Sequence, residues 1–525
     1  MQPVVLYDTT LRDGTQRSGI SLSLADKIRI ARRLDELGFP YIEGGWPGSN
    51  PKDAEFFRAM KDQPLRQARL VAFSSTRRAG TEADRDPLLR ELLAAGTPAV
   101  CIVGKAWDFH VTHALETTHE ENLAMVRDTV AFLKSRGKEV IFDAEHFFDG
   151  FRADPAYALA VVRAAAEAGA DWVVLCDTNG GTLPDRLAEI VRAVRGALDV
   201  PLGIHCHDDS GVAVANSLAA VREGCTMVQG TINGYGERCG NANLIPIAAN
   251  LQLKMGYRCL PEESLGRLTD LSRFVSEVAN LAHREEWPYV GRNAFAHKAG
   301  IHVSALLKHP ALYEHVPPDA VGNERRVLVS ELSGRSNLRY LFAGRDLEEA
   351  EVRALLDRIK ALEHAGYQFE GAEASLELLL DDQRGFGDRP FVLESFRVTV
   401  EHEPDRGSRA EATIKVRVGE RLIHTAAEGN GPVNALDVAL RKALRECFPH
   451  LDQVRLVDYK VRVLEGDAGT GARVRVLVES TDGRRRWGTV GVSTNILEAS
   501  WQALADGLRY YLGRTREHAR AASPS

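Results

Sequence analysis

The stretch IHCHDD carries two histidines separated by one residue, and this spacing is the chain's clearest opening for chemistry. On an extended strand, side chains alternate faces, so His205 and His207 project to one side and Cys206 to the other. Two imidazoles on one side of a strand end can reach a single metal ion. The same pair also suits two histidines that bond locally or face solvent. Far upstream, the apolar run VVLYD leads into DTTLRDGTQ, which delivers Arg12 and Asp13 together. By themselves these two charges make an ordinary ion pair. Set against His205 and His207, however, Asp13 completes an N,N,O ligand set with open positions, the arrangement of a catalytic rather than a structural divalent site. Such mixed ligands admit Mg2+, Mn2+, Zn2+ or Fe2+.

Other polar residues follow apolar runs in the same way. Glu43 ends YIEGG, Glu145 ends FDAE, Thr178 follows the run closing at CD, and Asn241 lies in NGYGERCGN. Singly, each has an everyday explanation: Glu145 a solvated or ion-paired carboxylate, Glu43 a partner for a neighbouring cation, the glycines a turn. Their convergence on the ends of successive runs favours one shared site.

Positioning these groups requires a repeating scaffold. Eight apolar runs recur about every thirty residues: VVLYD, YIEGG, RLVAFSS, AVCIVG, EVIFDAE, DWVVLCD, PLGIHCH and MVQGTI. Between them lie helical patterns such as Leu24, Ile28, Ala31 and Leu34 behind Ser23, a residue suited to capping. Strands alternating with helices in this number predict an α/β fold, a (β/α)8 TIM barrel over residues 1–259, with its active site at the C-terminal ends of the strands. A doubly wound sheet would need a GxGxxG turn after the first strand, and the chain has none there. Residues 260–386 lose the strand rhythm and predict a helical connector, inside which sits NAFAHKAGIHVSALLKHPALYEHV. From 387 to 512 the pattern predicts an α+β domain built from a duplicated ββα unit, ATIKVRV with RLIHTAA and then ARVRVLVES with RWGTVGV, each pair leading into a helix. Residues 513–525 read as a disordered tail.

Composition narrows the function. The 525 residues are 44% hydrophobic and 26% charged, enough for large cores. A net charge of -7 without long runs of one sign offers no footprint for nucleic acid or an anionic membrane. No apolar run reaches the length of a membrane span and the start has no targeting pattern, so a cytoplasmic location is expected. Seven cysteines without a CxxC pair read as reduced, buried thiols.

At this point the motifs resemble a known family. DTTLRDGTQ with IEGGWPGSNPKD, the HCHD pair, NGYGERCGN and HKAGIHVSAL look like the DRE-TIM metallolyases, in the acyltransferase branch that holds the 2-isopropylmalate, homocitrate and citramalate synthases. The resemblance runs from about Val4 to Leu508, and CIVGKAWDFHV and DAEHFFDGFRADPAYAL are most similar to the citramalate group. It implies an enzyme that condenses acetyl-CoA with a 2-oxo acid, pyruvate in that group, on a divalent metal (Mg2+, Mn2+ or Zn2+) held by Asp13, His205 and His207 with Asn241 close by. It further implies that Arg12 stabilises the alkoxide, Glu43 orients Arg12, Thr178 holds the substrate carboxylate and Glu145 is the base. His302, with Tyr313 as helper, would reach in from the second subunit of a homodimer, and the C-terminal domain would sense an amino acid, isoleucine. One departure is Asp143, where some citramalate synthases carry a tyrosine. The rival readings are a synthase using 2-oxoisovalerate or 2-oxoglutarate, a lyase like the 3-hydroxy-3-methylglutaryl-CoA lyases, and a non-catalytic metabolite sensor.

Overall fold

The computed structural model describes residues 2–330, 333–385, 389–403 and 407–521. It separates into two compact units, Met1–Phe295 with Glu314–Arg325, and Ala296–Tyr313 with Arg326–Ser525.

The first unit is the barrel. Strands β1 (Val5–Asp8), β2 (Tyr41–Gly45), β3 (Arg69–Ser75), β4 (Ala99–Lys105), β5 (Glu139–Glu145), β6 (Trp172–Asp177), β7 (Leu202–Cys206) and β8 (Met227–Gly230) fall on the eight apolar runs of the sequence. All pair in parallel, and β8 closes on β1 with Val5 opposite Met227 and Asp8 opposite Gly230. The strands read as continuous apolar runs because both faces are buried, one in the barrel and one under the helices. Helix Leu24–Glu36 shows how the outer layer attaches. The Ser23 hydroxyl accepts from the Asp26 amide while the Asp26 carboxylate accepts from the Ser23 amide, and Ile30, Ala31 and Leu34 are buried.

Alternation decides what fills the interior. Inward positions deep in the barrel carry Tyr7, Val71, Cys101, Ile141, Val174 and Met227, which pack on one another. Nearer the C-terminal ends the inward positions turn polar, with Glu43, Asp143, His205 and Gln229 all buried. Cys206 points the opposite way and packs in the layer beneath the helices. All seven cysteines are free thiols, but Cys239 is exposed and Cys447 half-buried, so the expectation that each is buried holds for five.

The second unit begins with a short parallel pair, β9 (Ala296–His297) and β10 (Arg326–Val327), so the strand rhythm does not stop entirely after the barrel. Each strand is two residues long, too short to leave a periodic signal. Helices Gly300–Lys308, Arg335–Leu341, Glu349–His364 and Glu373–Gln383 accompany them. Two antiparallel sheets follow, β11 (Val392–Glu403), β12 (Gly407–Val418) and β13 (Arg421–Gly429), then β14 (Arg455–Val463), β15 (Val474–Thr481) and β16 (Arg486–Ser493). Helix Pro432–Leu444 follows the first sheet and helix Ile496–Ala521 the second. The duplicated unit is therefore βββα, not ββα. In β12 the buried residues alternate cleanly at Ala410, Ala412, Ile414 and Val416, whereas β14 is exposed or half-exposed throughout and shows no such alternation. The tail expected to be disordered from 513 is helical as far as Ala521, and residues 522–525 lie outside the described residues. The connector boundary expected at 386/387 also falls in a stretch outside them, 386–388.

Candidate metal centre and active site

Strand β7 delivers His205 at its inward position and His207 just beyond its end, while the turn after β1 brings Asp13 from the opposite end of the sequence. Their ligand atoms lie within 4.8 Å of one another and all three side chains are buried. His205 Nε2 is 3.4 Å from His207 Nε2 and 3.4 Å from the Asp13 carboxylate, so three donor atoms face a common centre. Burial opposes charge on Asp13, but Arg12 and the two histidines outweigh it and hold the carboxyl below its ordinary range. Burial, reinforced by neighbouring His205, pushes the His207 imidazole down to about 4, which keeps the ring neutral. An ionised carboxylate and neutral imidazoles are the protonation states that a divalent cation requires of its ligands. His207 Nδ1 and Asn241 Oδ1 are buried polar atoms without a hydrogen-bond partner. The donor set therefore fits a divalent cation.

Asn241 belongs to the loop after β8. A backbone bridge pairs it with His207, its side chain donates to the Tyr235 carbonyl at 3.2 Å, and it also bonds Asp13. The glycines of this loop have steric work. A Cβ on Gly236 would lie 2.1 Å from Asn241 Nδ2, and one on Gly240, where φ is +103°, would lie 2.1 Å from the Gly234 carbonyl oxygen.

Arg12 is fixed from three directions. Its Nε donates to Glu43 Oε1 at 2.6 Å, an Nη lies 3.7 Å from Asp13, and the guanidinium sits 4.0 Å over the Phe73 ring. Burial works against its charge, and Glu43 and Asp13 more than offset that. The other oxygen of Glu43 accepts the Tyr7 hydroxyl at 2.6 Å, so both oxygens of this fully buried carboxylate are engaged.

Across the rim, Glu145 ends β5 and makes an ion pair with Lys105, its register partner at the end of β4. His146 follows in a left-handed conformation, φ +55°, and its amide donates to Thr178 Oγ1 at 2.8 Å. A cavity of about 530 Å3 opens on Arg12, Asp13, Glu145, Thr178, His205 and His207. Glu43 and Asn241 stand behind that wall, each holding a residue that does line it. His302 and Tyr313 belong to the second unit, where their rings stack with centroids 4.3 Å apart.

Two participants, Lys105 and Gln229, escaped the sequence reading, and a third, Asp143, entered it only as a departure from the family pattern. Lys105 ends β4 at an inward position, a signal that counting strand ends would have caught. Gln229 accepts a hydrogen bond from His205, and Asp143 accepts one from Gln229. A glutamine inside the apolar run MVQGTI was itself a clue, because a polar side chain on a buried strand needs a partner.

Comparisons with known proteins agree with this architecture. The HMGL-like family matches residues 3–275, the homocitrate synthase post-HMGL domain-like family residues 289–366, and the LeuA allosteric (dimerisation) domain residues 370–512. An (R)-citramalate synthase of Synechocystis sp. is 55% identical over 97% of this chain and 96% of that protein. One of Geobacter sulfurreducens is 54% identical over 98% and 99%. A 2-isopropylmalate synthase of Methanocaldococcus jannaschii is 30% identical over 97% and 95%. With the barrel matched from residue 3 to 275 and nearly the whole chain matched by relatives at over half identity, the chain belongs to the HMGL-like family, in its citramalate synthase branch.

Proposed function

We infer that this chain catalyses the citramalate synthase reaction, joining the acetyl unit of acetyl-CoA to pyruvate with release of citramalate and CoA. The acyl group ends as part of an alkyl chain. The observation that carries the reading is the single cavity shared by Asp13, His205 and His207 with Arg12, Thr178 and Glu145. The near-full-length relatives bearing that name support pyruvate as the acceptor.

A divalent cation (Mg2+, Mn2+ or Zn2+) held by Asp13, His205 and His207 supplies Lewis-acid polarisation of the acceptor's keto group. Asn241 steadies Asp13. Thr178 binds the acceptor's carboxylate: its oxygen already accepts the His146 amide hydrogen, which leaves its own hydroxyl hydrogen to donate into the cavity. Glu145 takes a proton from the acetyl methyl, and the resulting carbon nucleophile adds to the keto carbon of pyruvate. Arg12, aimed by Glu43, donates to the alkoxide as it develops. His302 of the partner subunit, with Tyr313 beside it, hydrogen-bonds the enolate oxygen, which makes a homodimer the working unit. Water then cleaves the thioester C–S bond, giving the free carboxylate and the CoA thiol. A cytoplasmic location belongs to the same reading; among the described residues no helix is long and apolar enough to cross a membrane.

Two measurements test this. In a thiol-release assay, kcat/KM for pyruvate is expected to exceed that for 2-oxoisovalerate and 2-oxoglutarate by about tenfold or more, since each carries two extra carbons, and 2-oxoglutarate a second carboxylate besides, and a single misfit methylene in a fitted pocket already costs about that much. A preference for 2-oxoisovalerate would overturn the acceptor. For regulation, the match to an allosteric domain over residues 370–512 supports control through that domain, and the effector assigned to it in this reading is isoleucine. Isoleucine is expected to lower the rate of the full-length enzyme in a saturable manner while leucine leaves it unchanged, and a rate indifferent to isoleucine would remove it as the effector.

A further inference from the structure

Three buried side chains from three strands form a line across the barrel: His205 and Asp143 reach the cavity wall and Gln229 lies behind it, between them. His205 on β7 bonds through Nδ1 to Gln229 Oε1 at 2.9 Å, and Gln229 on β8 donates through Nε2 to Asp143 Oδ1 on β5 at 2.8 Å. Gln229 is fully buried and Asp143 is 4% exposed. The polarity of this line follows from donor and acceptor types. Burial raises the Asp143 carboxyl to about 6, so at pH 7 and above it is a carboxylate whose oxygens only accept and the amide nitrogen of Gln229 faces it; reversing the amide would then set two acceptors 2.8 Å apart with no proton between them. The amide oxygen then faces His205 and accepts, so Nδ1 carries the ring hydrogen. A neutral imidazole carries only one such hydrogen, and Nε2 is left with a bare lone pair.

The alternative tautomer would close the site on itself. With its hydrogen on Nε2, His205 would point a donor at the Asp13 carboxylate 3.4 Å away and use the lone pair a cation needs. We propose that Gln229, aimed by Asp143, is a positioning residue that locks His205 in its Nε2-ligating tautomer and so keeps the Asp13–His205–His207 site open to a cation. This rests on the metal-site reading above and gives it a mechanism of preorganisation. Asp143 thereby acquires a role fixed by geometry: it holds the amide the right way round. Bonds of this kind behind a ligand typically change metal affinity by about ten- to a hundredfold.

The test is calorimetric titration of metal-stripped, full-length protein with Mn2+, together with NMR of the His205 ring nitrogens. The wild-type titration tests the metal reading by itself, because a chain that takes up no Mn2+ fails there whatever Gln229 does. Given wild-type binding, Gln229→Met, which removes both hydrogen bonds at similar volume, is expected to weaken Mn2+ binding about ten- to a hundredfold. The double variant D143N/Q229E restores both bonds with donor and acceptor exchanged at the Asp143 end, and is expected to recover most of that loss. Wild-type affinity in Gln229→Met, or a double variant no better than the single, would overturn the proposal. The NMR readout needs no substitution: the metal-free wild-type protein is expected to carry the hydrogen on Nδ1 of His205, and a hydrogen on Nε2 would refute the lock directly.

Discussion

Replacing His207 with alanine is expected to abolish metal binding and catalysis together. The ring is buried, and its surroundings push its proton affinity down to about 4, so at neutral pH it is uncharged and offers its Nε2 lone pair without competition from protons. Alanine leaves Asp13 facing Arg12 with only one imidazole, and two ligands from distant segments do not make a site of catalytic strength. Polarisation of a carbonyl by a metal contributes several kcal/mol to the transition state, and each 1.36 kcal/mol is tenfold in rate. A fall in kcat of about a hundredfold or more is therefore expected, with a parallel loss of heat in a metal titration. Removing a buried ring also costs stability, of the order of 1–3 kcal/mol. A melting curve of the metal-free variant separates that cost from the lost ligand. Normal activity of the unaltered enzyme in chelated, metal-stripped buffer would end the metal reading.

The sequence made the barrel and its rim legible because two short-range signals suffice for them. Apolar runs of strand length recur with helical stretches between, and alternation fixes which residues point inward. Asp13, His205 and His207 came within reach through these rules alone, since a closed barrel puts the ends of β1 and β7 on one rim. The partners behind them are another matter. Lys105 meets Glu145 only through the register of β4 on β5, and Asp143 meets Gln229 only across the barrel, 86 residues apart in the chain. No local pattern encodes either distance. The C-terminal half was half legible for a related reason: β12 buries every second residue, while β14 alternates in sequence, with Tyr459, Val461 and Val463 between Lys460 and Arg462, yet stays exposed or half-exposed, so the pattern alone does not show it completing the second unit.

Glu145→Gln is expected to separate catalysis from binding. The substitution keeps shape and volume and retains an oxygen able to accept from Lys105, so the ends of β4 and β5 need not move. What disappears is the basic oxygen. In the native rim, Lys105 engages Oε2, which leaves the other carboxylate oxygen to take a proton from the acetyl methyl. General bases contribute typically about 10²- to 10⁴-fold, and kcat is expected to fall within that range. Neither the metal ligands nor Thr178 depends on this carboxylate, so KM for pyruvate and the metal affinity are expected to change by only about twofold. Exchange of the acetyl-CoA methyl hydrogens with deuterated water sharpens the assignment. With a non-reacting analogue of pyruvate bound, the native enzyme is expected to exchange them and the variant is not, because exchange needs the base but not the condensation. A variant that binds pyruvate poorly yet turns over at the native rate would make Glu145 a substrate-binding group and move the base elsewhere on the rim.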